Sequence, residues 1–221
     1  MFSSNRSGGM NIFEQAADGT GAVEQLTDGS FTRNTTSLSP DGGRLVFSET
    51  DLVTGANIMM MRLDGSRRVE PLVRTPANER NAEISPDGRW IAYQSDELGQ
   101  YEIFVRPFPA VDSWKGQIST TGGTRPLWAH SGKELFYLSP TDSALMRVTV
   151  EPRTTWTAST PARVLDKATP FLGQTTFAGR TYDISLDDQR FLIADSTSDS
   201  AVGPARLIVV QNWLKRLVTT K

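Results

Sequence analysis

The letters SPDG stand at Ser39–Gly42 and again at Ser85–Gly88, each time just ahead of an apolar run. The same frame continues as AHSG from Ala129 and SLDD from Ser185, with spacings of 46, 44 and 56 residues. The runs that follow are RLVFSE, WIAYQSD, ELFYLSP and RFLIADS, short and alternating or continuously apolar, as strands are. Pro holds φ at about −65° in the first central turn position, and Asp and Gly suit the positions after it. The recurring turn therefore predicts a hairpin between two strands. A second series checks the first: NIFEQAADG, NIMMMRLDG, YEIFVRPFP, ALMRVTVEP and RLIVVQNW. In it Ile12, Ile58, Ile103 and Met146 fall 46, 45 and 43 residues apart. A third series, AVEQLT, RVEPLV, KGQIST and PARVLD, supplies one more strand per unit. Four strands in roughly 40–45 residues is the period of a propeller blade.

The fold class expected is all-β, a β-propeller of four-stranded antiparallel blades in one domain spanning 1–221. The repeat places a partial blade at 2–28, blades at 31–75, 78–121 and 124–167, a last blade at 175–213 and a tail at 214–221. The segments 166–180 and 196–205 are rich in Gly, Ser, Thr and Ala and are expected to be loops. The best helical candidate is NWLKRLVTT, where Trp213, Leu214 and Leu217 share a face. Met59, Met60 and Met61 fall on a middle strand, so alternation must bury at least one of them. Trp90, Trp128 and Trp156 are expected in the core, and Trp114 in an exposed loop.

Composition removes several classes. Net charge is −2 with acids and bases interspersed, so no basic stripe for nucleic acid is present. No apolar run approaches the roughly 18 residues of a membrane span. The opening MFSSNRSGGMN lacks the apolar stretch of a signal peptide. With no cysteine, disulfides and thiolate zinc sites are excluded, and the compartment stays open. His130 is the sole histidine, which excludes any site built on two imidazoles.

The starts of propeller inner strands converge on a channel. In the repeat frame, two residues before each anchor stand Ser37, Glu83, Leu127 and Asp183. Slightly earlier come Asn34 and Thr35, Arg80 and Asn81, Thr124 and Arg125, Arg180 and Thr181. One mouth is thus expected to gather Glu83, Asp183, Asn34 and Asn81 beside Arg80, Arg125 and Arg180. Carboxylates with amides, here Glu83, Asp183 and Asn34, suit a hard cation such as calcium or magnesium. Carboxylates facing arginines suit internal ion pairs, or a mouth in which Arg80, Arg125, Arg180 and Asn81 hold an anionic ligand. Two functions follow. One is a binding module that presents the mouth and loops to a protein or small-molecule ligand. The other is a hydrolase of the ester or phosphoester class, either with a bound divalent cation activating water or with Glu83 or Asp183 as general base, His130 being a further catalytic candidate. His130 occupies the turn frame of Pro40 and Pro86, where a surface turn residue is the plainer expectation.

The phrases ISPDGRWIAYQSDELGQYEIFVRPFP, GGTRPLWAHSGKELFYLS, GRTYDISLDDQRFLIA and RLIVVQNWLKRL resemble the TolB-like, WD-type β-propeller repeat of bacteria. They are most similar to the sensor-like C-terminal propellers attached to some bacterial serine/threonine protein kinases. The resemblance implies a propeller of the interaction type. It implies no kinase activity, because no Gly-rich phosphate loop, H-R-D or D-F-G occurs in the chain. The pattern decays at His130, Ser131, Leu186 and Asp188. MFSSNR aligns with the end of IAYQSD, so the first blade is expected without its inner strand, as in the C-terminal piece of a longer propeller or an internally initiated frame. Open strand edges seek partners. They are satisfied by closure into a five-bladed ring or by a homodimer through the edges, and the dimer is the favoured expectation.

Overall fold

The computed structural model describes residues 1–52, 55–142, 144–151, 155–166, 179–195 and 206–211. The expected helix at 212–220 lies outside these residues, as do 167–178 and 196–205 of the two expected loops. Among the described residues there is no α-helix, only one short 3-10 turn at Val111–Ser113.

The strands form five antiparallel sheets in chain order. The first holds β1 (Phe2–Ser4), β2 (Asn11–Glu14) and β3 (Glu24–Gln25). The second holds β4 (Thr32–Leu38), β5 (Arg44–Asp51), β6 (Gly55–Arg62) and β7 (Val69–Val73). The third holds β8 (Glu79–Ile84), β9 (Trp90–Ser95), β10 (Glu102–Pro107) and β11 (Gly116–Gln117). The fourth holds β12 (Thr124–Trp128), β13 (Glu134–Ser139), β14 (Ala144–Thr149) and β15 (Ala162–Leu165). The fifth holds β16 (Tyr182–Ile184), β17 (Arg190–Asp195) and β18 (Arg206–Gln211). Each sheet is an up-and-down meander of sequential neighbours, the topology of a propeller blade.

Successive sheets stack face to face, and the apolar clusters lie between them. Ile12, Leu45, Phe47, Met59 and Met61 fill the space between the first and second blades. Met60, Val46, Ile84, Tyr93 and Phe104 fill the next. All three methionines are buried, because a blade with a neighbour on each side has two inward faces. The same geometry explains why runs such as ELFYL are continuously apolar rather than alternating. Trp128, Leu135 and Met146 sit between the third and fourth blades, with Trp90 and Trp156 packed against them. Phe136, Leu138, Tyr182 and Phe191 close the interface of the fourth and fifth. Fully burying one such side chain is worth about 1.5–3 kcal/mol. Trp114 meets the rim of this aromatic group edge-on, its ring centroid 5.9 Å from that of Trp90, and stays partly exposed.

Candidate functional site

The inner strands β4, β8 and β12 start at one end of the molecule, where each carries an irregular pairing. The register slips between Thr35 and Ser37, between Arg80 and Glu83, and between Thr124 and Leu127. Such bulges turn a side chain out of the pleat and toward whatever the strand faces. Here they face the axis. A cavity of about 300 Å³ opens there, with walls from three blades and from the segment leading into the fifth: Asn34 from the second, Arg80 and Asn81 from the third, Arg125 from the fourth and Gly179 ahead of the fifth. Threonine hydroxyls, the Gln94 and Gln100 amides and the Tyr101 ring complete much of it. Among the described residues, no Asp or Glu lines it.

The bulges are held in place by buried partners. Asn81 and Arg125 occupy the left-handed region, at φ 52° and 53°. That conformation is uncommon for side chains with a Cβ and persists only where the surroundings impose it. Gln94 does so for both residues. Its Oε1 accepts a 2.8 Å bond from Asn81 Nδ2 and a 3.0 Å bond from the Arg125 backbone N–H. On the other side, the buried Tyr182 hydroxyl donates to the Arg125 carbonyl at 2.7 Å. Arg125 is 6% exposed, and burial lowers its pKa from the ordinary arginine value.

Two residues farther along β8, or about 7 Å at strand rise, lies a second cluster. Glu83 Oε1 pairs with an Arg180 guanidinium nitrogen at 3.2 Å, and the same nitrogen lies 3.5 Å from Asp183 Oδ1. Glu83 and Arg180 belong to blades two apart, so this pair spans the axis. Glu83 Oε2 accepts the Trp128 backbone N–H at 3.0 Å, and the Trp128 indole N–H donates to the Glu83 carbonyl at 3.2 Å. In the preceding blade Ser37 has the equivalent role, its hydroxyl accepting the Ile84 N–H at 3.1 Å. In the fourth blade this frame position holds Leu127, which cannot accept. The matching N–H, of Ile184, turns instead to Asp183 of its own strand at 3.0 Å. Burial pushes the Glu83 carboxyl up to about 7, against the pull of Arg180 and the Trp128 N–H, and the Asp183 charge adds to the rise.

The expected single mouth is therefore two layers. Asn34, Arg80, Asn81 and Arg125 share the cavity; Glu83, Arg180 and Asp183 share the ion-pair cluster. The proposed cation ligands Glu83, Asp183 and Asn34 are not brought together: Asn34, in regular register opposite Ser48, lines the cavity. A guanidinium, not open space, stands between the two carboxylates. Among the described residues, no group of three or more Asp, Glu, His or Cys side chains could hold a metal ion.

His130 is placed apart from both layers, in the hairpin turn at the far end of β12. The four turns share one construction: the fourth residue's N–H bonds back to the first carbonyl at 2.8–2.9 Å. The fourth residues are left-handed, with φ of 69°, 70° and 68° at Gly42, Gly88 and Gly132 and 55° at Asp188. The turns also stack between blades. A Cβ on Gly88 would lie 3.5 Å from Pro40 Cδ, and one on Gly132 would lie 3.9 Å from Pro86 Cδ. In the last pair His130 replaces the proline and Asp188 the glycine. Asp188 then accepts the backbone N–H groups of His130 and Ser131 at 2.8 and 3.0 Å and approaches the imidazole Nδ1 at 3.3 Å. The departures from the repeat at these positions compensate one another, and His130 takes a structural place.

Sequence reasoning missed Gln94 and Tyr182. A signal for Gln94 existed: it and Ser48 hold the same repeat position, polar residues at the end of apolar strand runs, and both line the cavity.

No family model matches the chain, and no curated protein matches it in sequence. Solved structures do share its fold. TolB from Acinetobacter baumannii superposes with a TM-score of 0.67, at 17% identity, over 95% of this chain and 48% of its own. A protein assigned as TolB from Agrobacterium tumefaciens gives 0.57, at 21% identity, over 73% and 61%. A gluconolactonase from Xanthomonas campestris gives 0.60, at 11% identity, over 92% and 66%. The chain thus spans 61% and 48% of the length of the two TolB structures. At these identities the likeness shows a TolB-like β-propeller fold. No described helix is long and apolar enough to cross a membrane.

Proposed function

We propose that the chain is a ligand-binding propeller module whose site is the polar cavity on the axis. One observation carries this: three successive blades converge donors and acceptors on a single cavity of about 300 Å³, and two of its wall residues, Asn81 and Arg125, are held in left-handed conformations by buried partners. A pocket lined by a few convergent polar groups on a preformed scaffold is the usual form of a small-molecule site. Strain retained at such a wall is characteristic of ligand clamps. The resemblance to kinase-attached sensor propellers is consistent with binding without chemistry. Isothermal titration calorimetry against sugars, carboxylates, phosphates, amino acids and short peptides tests it. A binder whose affinity is lost in Asn81→Leu supports the cavity as the site; no binder in any class removes the proposal.

A hydrolase is the second reading, favoured by one observation: a buried carboxyl whose pKa is raised to about 7, the range suited to a general base. The fold also serves a protein named as a gluconolactonase, although fold alone does not carry function. Turnover of aryl esters, lactones or phosphate esters that disappears in Glu83→Gln selects this reading. Unchanged turnover in that variant, or none in the wild type, rejects it.

A further inference from the structure

The chemistry of the cavity wall narrows the ligand. We infer that the cavity takes a small polyhydroxylated anion, a sugar-sized molecule bearing one carboxylate or phosphate; this rests on the cavity being the binding site. Among the described residues, the charged groups on the wall are the guanidiniums of Arg80 and Arg125, from successive blades. Guanidinium forks match carboxylate and phosphate oxygens in bidentate geometry. In a partly desolvated site such a bond gains more than it does in water.

The rest of the wall is hydroxyl and amide. Asn34, Asn81 and Gln100 bring amide groups, and Thr36 and Thr124, whose hydroxyls donate to the Val46 and Leu138 carbonyls at 3.1 and 3.5 Å, bring oxygens that accept, which suits ligand hydroxyl groups. Among the described residues, Tyr101 supplies the one aromatic ring of the wall, so stacking of a nucleobase has a single described ring to use. The volume lies at the lower limit of small-molecule pockets, which fits a ligand of hexose size. The all-oxygen, carboxylate-rich lining that a bare cation would need is absent from the described wall residues.

Arg125 is aimed rather than merely present. Its N–H is pinned by Gln94 at 3.0 Å and its carbonyl by Tyr182 at 2.7 Å, so both peptide units around a left-handed residue are fixed before a ligand arrives. Gln94 is thereby a positioning residue, acting on the ligand through Asn81 and Arg125. Preorganisation of this kind reduces the ordering cost of binding.

Calorimetry with gluconate, glucose 6-phosphate, glucose and inorganic phosphate, on wild type, Arg80→Gln, Arg125→Gln and Asn81→Leu, tests the inference. Gluconate or glucose 6-phosphate is expected to bind at least tenfold more tightly than glucose. Each arginine variant is expected to lose at least tenfold of that affinity while glucose is unaffected. Arg80→Gln serves where Arg125→Gln fails to fold, since the Arg80 backbone is not left-handed. Glucose binding as tightly as gluconate, with loss in Asn81→Leu, overturns the anion inference and leaves the cavity as the site. Inorganic phosphate binding as tightly as glucose 6-phosphate overturns the polyhydroxyl requirement. Binding that no cavity variant alters, or no binding of any of the four, overturns the inference; in the first case the cavity reading falls with it, in the second the wider panel still decides it.

Discussion

Replacing Glu83 by Gln separates the charge of this residue from its shape. The carboxyl is 13% exposed, bonded to the Trp128 N–H and paired with Arg180, and its pKa stands at about 7 against an ordinary 4.5. A raised carboxyl pKa means that the folded state holds a proton which the unfolded state has already released. Between pH 4.5 and 7 folding therefore takes up a proton, and stability falls as pH rises. The shift of about 2.5 units corresponds to about 3 kcal/mol at 1.36 kcal/mol per unit. Below pH 4.5 this loss is absent, and above pH 7 it is complete. Glu83→Gln keeps an oxygen for the Trp128 N–H and stays neutral throughout. Relative to wild type it should gain about 3 kcal/mol between pH 4.5 and 8. Burial also raises Glu79 and Glu134, and they slope the same way, but they are present in both proteins and cancel in the difference. Asp41 and Asp187, lowered by bonds from Ser39 and Ser185, act at lower pH: their contribution is lost as pH falls through their depressed pKa values. Urea unfolding followed by tryptophan fluorescence at half-unit pH steps measures the difference directly. A gap between variant and wild type that stays constant within about 1 kcal/mol across this range refutes the account of Glu83 as a buried, strained charge.

Three further outcomes follow from the geometry. Gln94→Leu strips the acceptor from Asn81 Nδ2 and the Arg125 N–H, and should lower the urea-derived stability by about 1–3 kcal/mol, the range for buried groups left unpaired; a change within experimental error contradicts the pinning. Tyr182→Phe removes one buried hydroxyl bond to the Arg125 carbonyl and should lower stability by about 1 kcal/mol, with a further loss of gluconate affinity visible by calorimetry. Asp188 sits at φ 55° while capping the neighbouring turn, so both Asp188→Gly and Asp188→Ala lose the cap. The alanine variant should be less stable by about a further 1 kcal/mol, because only glycine accepts the left-handed position freely; equal melting of the two variants would exclude that strain.

The blade pattern was legible in the chain itself. Turn residues and apolar alternation act over a few neighbours, so SPDG, the runs after it and the Asn11–Asn57 series announce hairpins and strands without any knowledge of what they pack against. Their recurrence announces stacking, because a single four-stranded sheet with two apolar faces cannot stand alone. The residues that approach the axis were legible in the same way, as positions in the repeat frame. How they divide was not. Bulges at Thr35–Ser37, Arg80–Glu83 and Thr124–Leu127 decide which side chains turn into the cavity, and a one-residue slip leaves no mark on spacing. The pairing of Glu83 with Arg180, the anchoring of two blades by Gln94 and the mutual repair of His130 and Asp188 join residues 13 to 97 positions apart. Those meetings depend on the rotation of one blade against the next about a common axis, which is a property of the packed molecule.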